Sequence, residues 1–299
     1  MKHMKKLALL GLTAAFSLSL LAGCGGGGAG QAETPAGGET TPVEESGEPS
    51  AETPAAGGNT VTSDYGEFTV VEAGKLHMST NAAFPPYEMT TDDGGFEGID
   101  VEVADAIAQK LGLELVVDDM AFNAALTAVQ TGQSDIAMAG ITVTDERLEV
   151  MDFTESYATG VQVVIVAEDS PIQTIDDLAN AEMIGCQADT TGYIYCSDTP
   201  ENGGYGADHV TAYDTGALAV MALLNGQIDA VVIDNEPAQA FVEANEGLKI
   251  LDTEFAVEDY AIGVQKGNTA LLDVLNAVMD DLKADGTFQG IVDKYITAE

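Results

Sequence analysis

The sequence predicts an α/β protein of two similarly built lobes, and two observations carry that reading. From Phe68 onward, short apolar runs alternate with amphipathic segments, the period switching between extended and helical as βαβ units require. Residues 126–140 are also echoed by residues 220–234. Each stretch runs from an apolar helix end through a Gly-Gln-x-Asp turn, Gly132 to Asp135 and Gly226 to Asp229, into a buried strand. In order, Asp100 is placed to cap a helix with Val101, Ala104, Ile107, Ala108 and Leu111 on one face, and Gly112 ends it. A strand over 113–117 follows, then a helix capped by Asn123 and bearing Leu126 and Val129, ended by Gly132, then a strand over 136–139. Near the C-terminus a strand over 260–265 leads through Lys266, Gly267 and Asn268 to a long helix. Its apolar face is Leu271, Leu272, Leu275, Val278, Met279 and Leu282; Gly286 ends it, and a last helix covers 287–296. Strands near 161–166 and 257–265 read as the two crossings between lobes, giving a hinge. Lobe one then combines 66–163 with 259–299, and lobe two is 164–258.

The echo presents two strand ends, Gly140 with Thr142 in one lobe and Asp234 in the other. In open α/β sheets ligands collect at the carboxyl ends of strands, so two such ends face across a cleft. Asp135 and Asp229 themselves are expected to fix their turns.

Ahead of the lobes, residues 1–23 form an export signal: Lys2, Lys5 and Lys6, then an apolar run from Leu7 to Leu21. The run ends in Leu21-Ala22-Gly23-Cys24, which resembles the lipobox of bacterial lipoproteins and implies lipidation of Cys24. Two acyl chains there would hold the protein at a membrane stably. Residues 24–65 then read as a disordered acidic tether, rich in Gly, Pro and Glu and too polar to form a core. Its random-coil reach is roughly 30–40 Å, enough to lift a domain clear of lipid head groups. With 10 basic and 50 acidic residues, the formal net charge is −40. That sign excludes nucleic acid as a partner and disfavours adhesion to anionic lipid, which leaves Cys24 as the attachment.

Arg147 is the only arginine of the chain and follows directly on a strand end. Any of the lysines could satisfy a surface acid, so a lone guanidinium points to a task that needs a planar, bidentate fork, with a carboxylate as natural partner. No metal or cofactor is expected: His77 and His209 are isolated and His3 lies in the signal. No Gly-x-Ser-x-Gly elbow or Cys–His neighbourhood supports nucleophilic catalysis. Cys186, on a strand, and Cys196, on the following helix, leave open a disulfide or two buried thiols.

Taken together the motifs resemble the extracytoplasmic solute-binding proteins of ABC importers for polar amino acids, the glutamine-, histidine- and arginine-binding type. The resemblance rests on Asn81 to Glu88, on Gly98 to Ala104, on Ala139 to Arg147 followed by Met151 to Tyr157, and on Asp189 to Gly192. It continues through Gly226 to Asp234, Lys266 to Asn268 and Asp285 to Tyr295. It implies a periplasmic-binding-protein-like fold, two α/β lobes on a two-stranded hinge with the ligand between them. It further implies that Arg147 grips an α-carboxylate with the backbone N–H groups of Thr142 and Thr190. Asp234 takes the α-ammonium, with the Gly140 carbonyl and Thr142 hydroxyl as further acceptors. Phe84 and Phe122 stand where the family walls the ligand side chain, and Asn81 where relatives often carry an acid. Asp189 replaces the family's usual glycine. The expected protein is a monomeric lipoprotein outside the cytoplasm that hands a polar amino acid to an ABC permease.

Two rivals share the architecture. A cyclohexadienyl dehydratase-like enzyme would need a cleft acid of raised pKa, for which Glu88 and Glu258 are the candidates. A ligand-sensing module would need a separate partner, since the chain shows no second membrane segment and no signalling domain after its leader.

Overall fold

The computed structural model describes residues 59–252 and 254–296. The signal over 1–23, Cys24 and most of the expected tether lie outside these. The described part contains two large β-sheets flanked by helices, with two small sheets of two and three strands beside them, and its topology is that of two α/β lobes. In the first sheet the strands Glu114–Asp119, Lys75–Thr80, Ile136–Ala137, Gly263–Gln265 and Met151–Phe153 lie side by side in that order. In the second, Val210–Tyr213, Ile184–Gln187, Ala230–Asp234, Ala158–Ala167 and Leu248–Ile250 do so. Lys75–Thr80 runs parallel to both its neighbours, and Ile184–Gln187 to both of its own, as helix-linked βαβ crossovers require.

The link between the sheets is made by the long strand Ala158–Ala167. Its second half pairs with Ala230–Asp234 and Leu248–Ile250 inside the second sheet. Its first half pairs antiparallel with Ala256–Tyr260, from Ala158 opposite Tyr260 to Gln162 opposite Ala256. The chain thus leaves the first sheet and returns to it along two hydrogen-bonded strands. The expected strand over 260–265 is therefore two strands, Ala256–Tyr260 and Gly263–Gln265, that serve different sheets.

Local expectations need four corrections. The helix Ile99–Leu111 is preceded by Gly98, not capped by Asp100: that side chain turns inward, fully buried, and accepts hydrogen bonds from elsewhere in the fold. Gly98 is required there, because its φ is 131° and a Cβ would sit 2.2 Å from the Tyr87 carbonyl oxygen. The helix Phe122–Gln130 begins one residue before Asn123, which caps nothing. The strand expected over 136–139 is only Ile136–Ala137.

The fourth correction moves the start of the fold. Residues 59–65 are not tether: Asn59–Ser63 pairs with Gly66–Val70 as a hairpin, Val61 and Tyr65 pack on the first core, and the Tyr65 hydroxyl donates to Asp281. One apolar side chain and one tyrosine suffice here because the partner strand places Phe68 and Val70 in the core.

Gly112, with φ of 70°, ends the first helix as expected, and the helices Thr269–Ala284 and Thr287–Tyr295 form the predicted C-terminal pair. Leu271, Leu275, Val278, Met279 and Leu282 are all buried on the longer of the two. The two aspartates of the repeated turn do similar work in each half. Asp135 accepts from the backbone N–H groups of Val71 and His77 at 2.7 and 2.8 Å, and Asp229 from those of Glu182 and Met183 at 2.6 and 3.0 Å. Each anchors its turn to the entry of a neighbouring strand. Cys186 and Cys196 are buried free thiols, so of the two alternatives the structure contains the thiol pair.

Candidate ligand-binding site

All eight residues expected to bind ligand line one cavity. Asn81, Phe84, Phe122, Gly140, Thr142, Arg147, Thr190 and Asp234 all border it, joined by Glu88, Ala139, Gln187 and Thr191. Of the four further residues, Glu88 is the acid named above for a rival enzyme, and Ala139 and Thr191 adjoin expected site residues in sequence.

Arg147 sits in the short helix Asp145–Val150, whose N-cap Thr144 accepts from the Arg147 backbone N–H at 3.2 Å. This turn swings the guanidinium back over the strand end. Nη1 donates to the Thr142 carbonyl at 2.9 Å and Nη2 to the Asp189 carbonyl at 3.3 Å, and the charge lies 5.3 Å above the centre of the Phe122 ring. These contacts use two of five N–H donors and leave the fork able to take an anion. Burial lowers the pKa of the group, and the Glu258 carboxylate partly offsets this. Phe122, expected as a wall for the ligand side chain, thus also supports the arginine.

Asp189, the departure from the family pattern, adopts the left-handed conformation with φ of 63°. A glycine would be at ease there, and aspartate tolerates it better than most residues. The Asp189 carbonyl, not its carboxylate, meets Arg147.

Asp234 ends the strand Ala230–Asp234 and is buried. It accepts from Gln162 Nε2 at 2.8 Å and from the Tyr260 hydroxyl. Burial pushes its pKa up to about 7, against the lowering effect of these two donors. A cation arriving beside it would restore the charged form.

Glu258 is the hub between the two halves. Its Oε2 accepts from Thr142 Oγ1 at 3.0 Å, Thr191 Oγ1 at 3.0 Å and Gln162 Nε2 at 3.1 Å. Asn81 Oδ1 accepts from Gln187 Nε2 at 2.8 Å, a second contact from one sheet's residues to the other's. Phe84 packs against the cores of both halves and lies over Gly140, where a Cβ would come within 2.8 Å of its ring. Gly140 has φ of 53° and its N–H donates to Asp100 at 3.0 Å. Sequence offered little signal for Gln162 and Tyr260, because polar residues on strands carry no mark of the direction in which they point.

Chemically the cavity offers one cation, two carboxyl groups, and hydroxyl and amide groups against aromatic walls. No cluster able to hold a metal occurs among the described residues, and no helix among them is long and apolar enough to cross a membrane.

Comparison with known proteins identifies the family. Residues 76–298 match the bacterial extracellular solute-binding proteins, family 3. The chain belongs to this family. A probable histidine-binding protein of Neisseria gonorrhoeae is 29% identical over 76% of this chain and 85% of its own length. The solved arginine-, lysine-, histidine-binding protein ArtJ of Geobacillus stearothermophilus is 30% identical, with a TM-score of 0.69 over 75% of this chain and 96% of its own. The ancestral amino acid-binding protein AncCDT-1, described as a precursor of cyclohexadienyl dehydratase, is 27% identical, with a TM-score of 0.68 over 74% and 95%. The solute-binding fold is thus common to this chain and to proteins that bind amino acids.

Proposed function

We propose that this chain captures a polar amino acid and delivers it to an ABC permease. The observation that supports this best is the pair of opposite charges in one cavity: a buried arginine with free donors and a buried aspartate at the end of a strand in the other sheet. A zwitterion must find replacements for water at both of its charged groups, or desolvation cancels binding. Arg147, with the backbone N–H groups of Thr142 and Thr190, takes the α-carboxylate; Asp234, with the Gly140 carbonyl and the Thr142 hydroxyl, takes the α-ammonium. Phe84, Phe122 and Asn81 surround the side chain. Because the two charged partners belong to different sheets, the ligand bridges them and favours the closed arrangement, which is the form the permease accepts.

In this reading residues 1–23 direct export, lipid on Cys24 holds a monomer at the outer face of the cell membrane, and the tether gives it reach. It acts as a binding protein, not an enzyme. Calorimetric titration of the ligand-free protein with the common amino acids and cystine tests the proposal. Tight binding of one or a few polar members, abolished by Arg147→Ala, is expected. Silence across the panel, together with turnover of arogenate or prephenate, would favour the dehydratase reading instead.

A further inference from the structure

Glu258 stands in the second connecting strand, opposite Gly160 of the first, and is buried. Three donors converge on its Oε2: the hydroxyls of Thr142 and Thr191, each at 3.0 Å, and Gln162 Nε2 at 3.1 Å. Its Oε1 is buried without a partner. A hydroxyl carries a single hydrogen, and a carboxylate oxygen accepts but cannot donate. Thr142 and Thr191 therefore spend their hydrogens on Glu258, and both of these threonines border the cavity. What each hydroxyl has left to show there is lone pairs. Gln162 is pinned in the same way, because its amide nitrogen donates both to Glu258 and to Asp234 Oδ2, the latter at 2.8 Å.

We infer that Glu258 is a positioning residue of the ligand site: by taking the hydroxyl hydrogens of Thr142 and Thr191 it turns both side chains into obligate acceptors, so that the wall beside Asp234 receives N–H donors and rejects a group that must accept. This rests on the amino-acid reading above and deepens it at the α-ammonium. An ammonium brings three N–H donors and no lone pair, and Asp234, the Gly140 carbonyl and the Thr142 hydroxyl then offer it acceptors only. A 2-hydroxy acid brings one hydrogen to the same three groups and sets its own lone pairs against the remaining acceptors. The Asp234 carboxylate and the Gly140 carbonyl are acceptors by nature. A threonine hydroxyl is not, since a free one rotates to suit whatever faces it. Glu258 removes that freedom. The place of Thr142 itself is fixed by other contacts: its carbonyl accepts from Arg147 Nη1 at 2.9 Å, and its backbone bridges to Tyr260. Glu258 thus sets the hydroxyl rotor and not the position of the residue.

Neutron diffraction from crystals of the full chain in deuterated solvent locates the hydroxyl deuterons directly. Those of Thr142 and Thr191 are expected on the lines to Glu258 Oε2; a Thr142 deuteron turned into the cavity would overturn the inference. Two substitutions separate this role from that of a nearby charge. In Glu258→Gln an oxygen still faces the three donors while the charge is gone, and in Glu258→Leu both are gone. The probes are L-arginine, one of the amino acids for which the solved relative ArtJ is named, and its 2-hydroxy counterpart, argininic acid. By calorimetry the preference for arginine should fall about tenfold further in Glu258→Leu than in Glu258→Gln, the upper range for one neutral hydrogen bond, here gained by the hydroxy acid from the released Thr142 hydroxyl. Equal preferences in the two variants would show that charge alone acts from Glu258, overturning the inference with the α-group reading intact. Failure of every amino acid to bind would instead sink the α-group reading. The deuteron positions decide the orientation of the hydroxyls whichever amino acid binds and whether or not a variant folds.

Discussion

Removing either charged partner of the cavity leaves the other side of the ligand desolvated without a match. Arg147→Ala or Asp234→Ala is expected to cost ~2–5 kcal/mol in binding free energy by calorimetry. Asp234 also gives a pH signature in the ligand-free protein. Its pKa is raised by folding, so the folded state holds its proton where the unfolded state has lost it. The associated stability is fully present below the unfolded carboxylate range near pH 4 and is lost as pH rises through about 7. Asp234→Asn should therefore flatten the fall in melting temperature between pH 4.5 and 7.5, taken as roughly the window between those two pKa values; an unchanged slope would contradict the assignment. At this scale the sequence was informative where a residue type was scarce. Arg147 stands alone, and Asp234 closes an apolar strand. Glu88 was legible as a candidate cleft acid, but nothing in the sequence distinguishes a solvated glutamate from a fully buried one. Its burial comes from the short strand Glu88–Thr90 folding under the helix that begins at Ile99.

Helices and strands with a clear period were readable: the C-terminal pair, the helix ended by Gly112, and the repeated turn. What the period could not convey was partner choice. Val257 to Gln265 looks like one apolar strand, yet Tyr260 pairs with Ala158 and Gly263 with Ala137 and Phe153, in different sheets. The hairpin from Asn59 escaped because its first strand has one apolar residue, Val61, and gains its order from Phe68 and Val70 opposite. The repeated aspartates were expected to fix turns; each in addition binds two backbone N–H groups of a neighbouring segment. Asp135→Ala and Asp229→Ala should each lower stability by about 1.5–3 kcal/mol, the scale of a hydrogen bond to a charged group, in chemical denaturation. A loss below about 0.5 kcal/mol, typical of surface positions, would show that the contacts are incidental.

Over the whole molecule, the two sheets are joined by strands that also carry the chemistry: Gln162 and Glu258 lie on the connecting pair and reach Asp234, Thr142 and Thr191. Any change in the relation of the halves therefore moves groups of the site, which couples closure to binding without a separate device. The acidity of the chain bears on its surroundings, not its fold. The central claim is that an amino acid lies between the halves with its two α-groups on opposite walls. A ligand-bound crystal structure tests it most directly. The account predicts the α-carboxylate on the Arg147 fork, the α-ammonium against Asp234 and the side chain between Phe84 and Phe122. A ligand bound the other way round, with its side chain on Arg147, or bound outside this cavity, would contradict it.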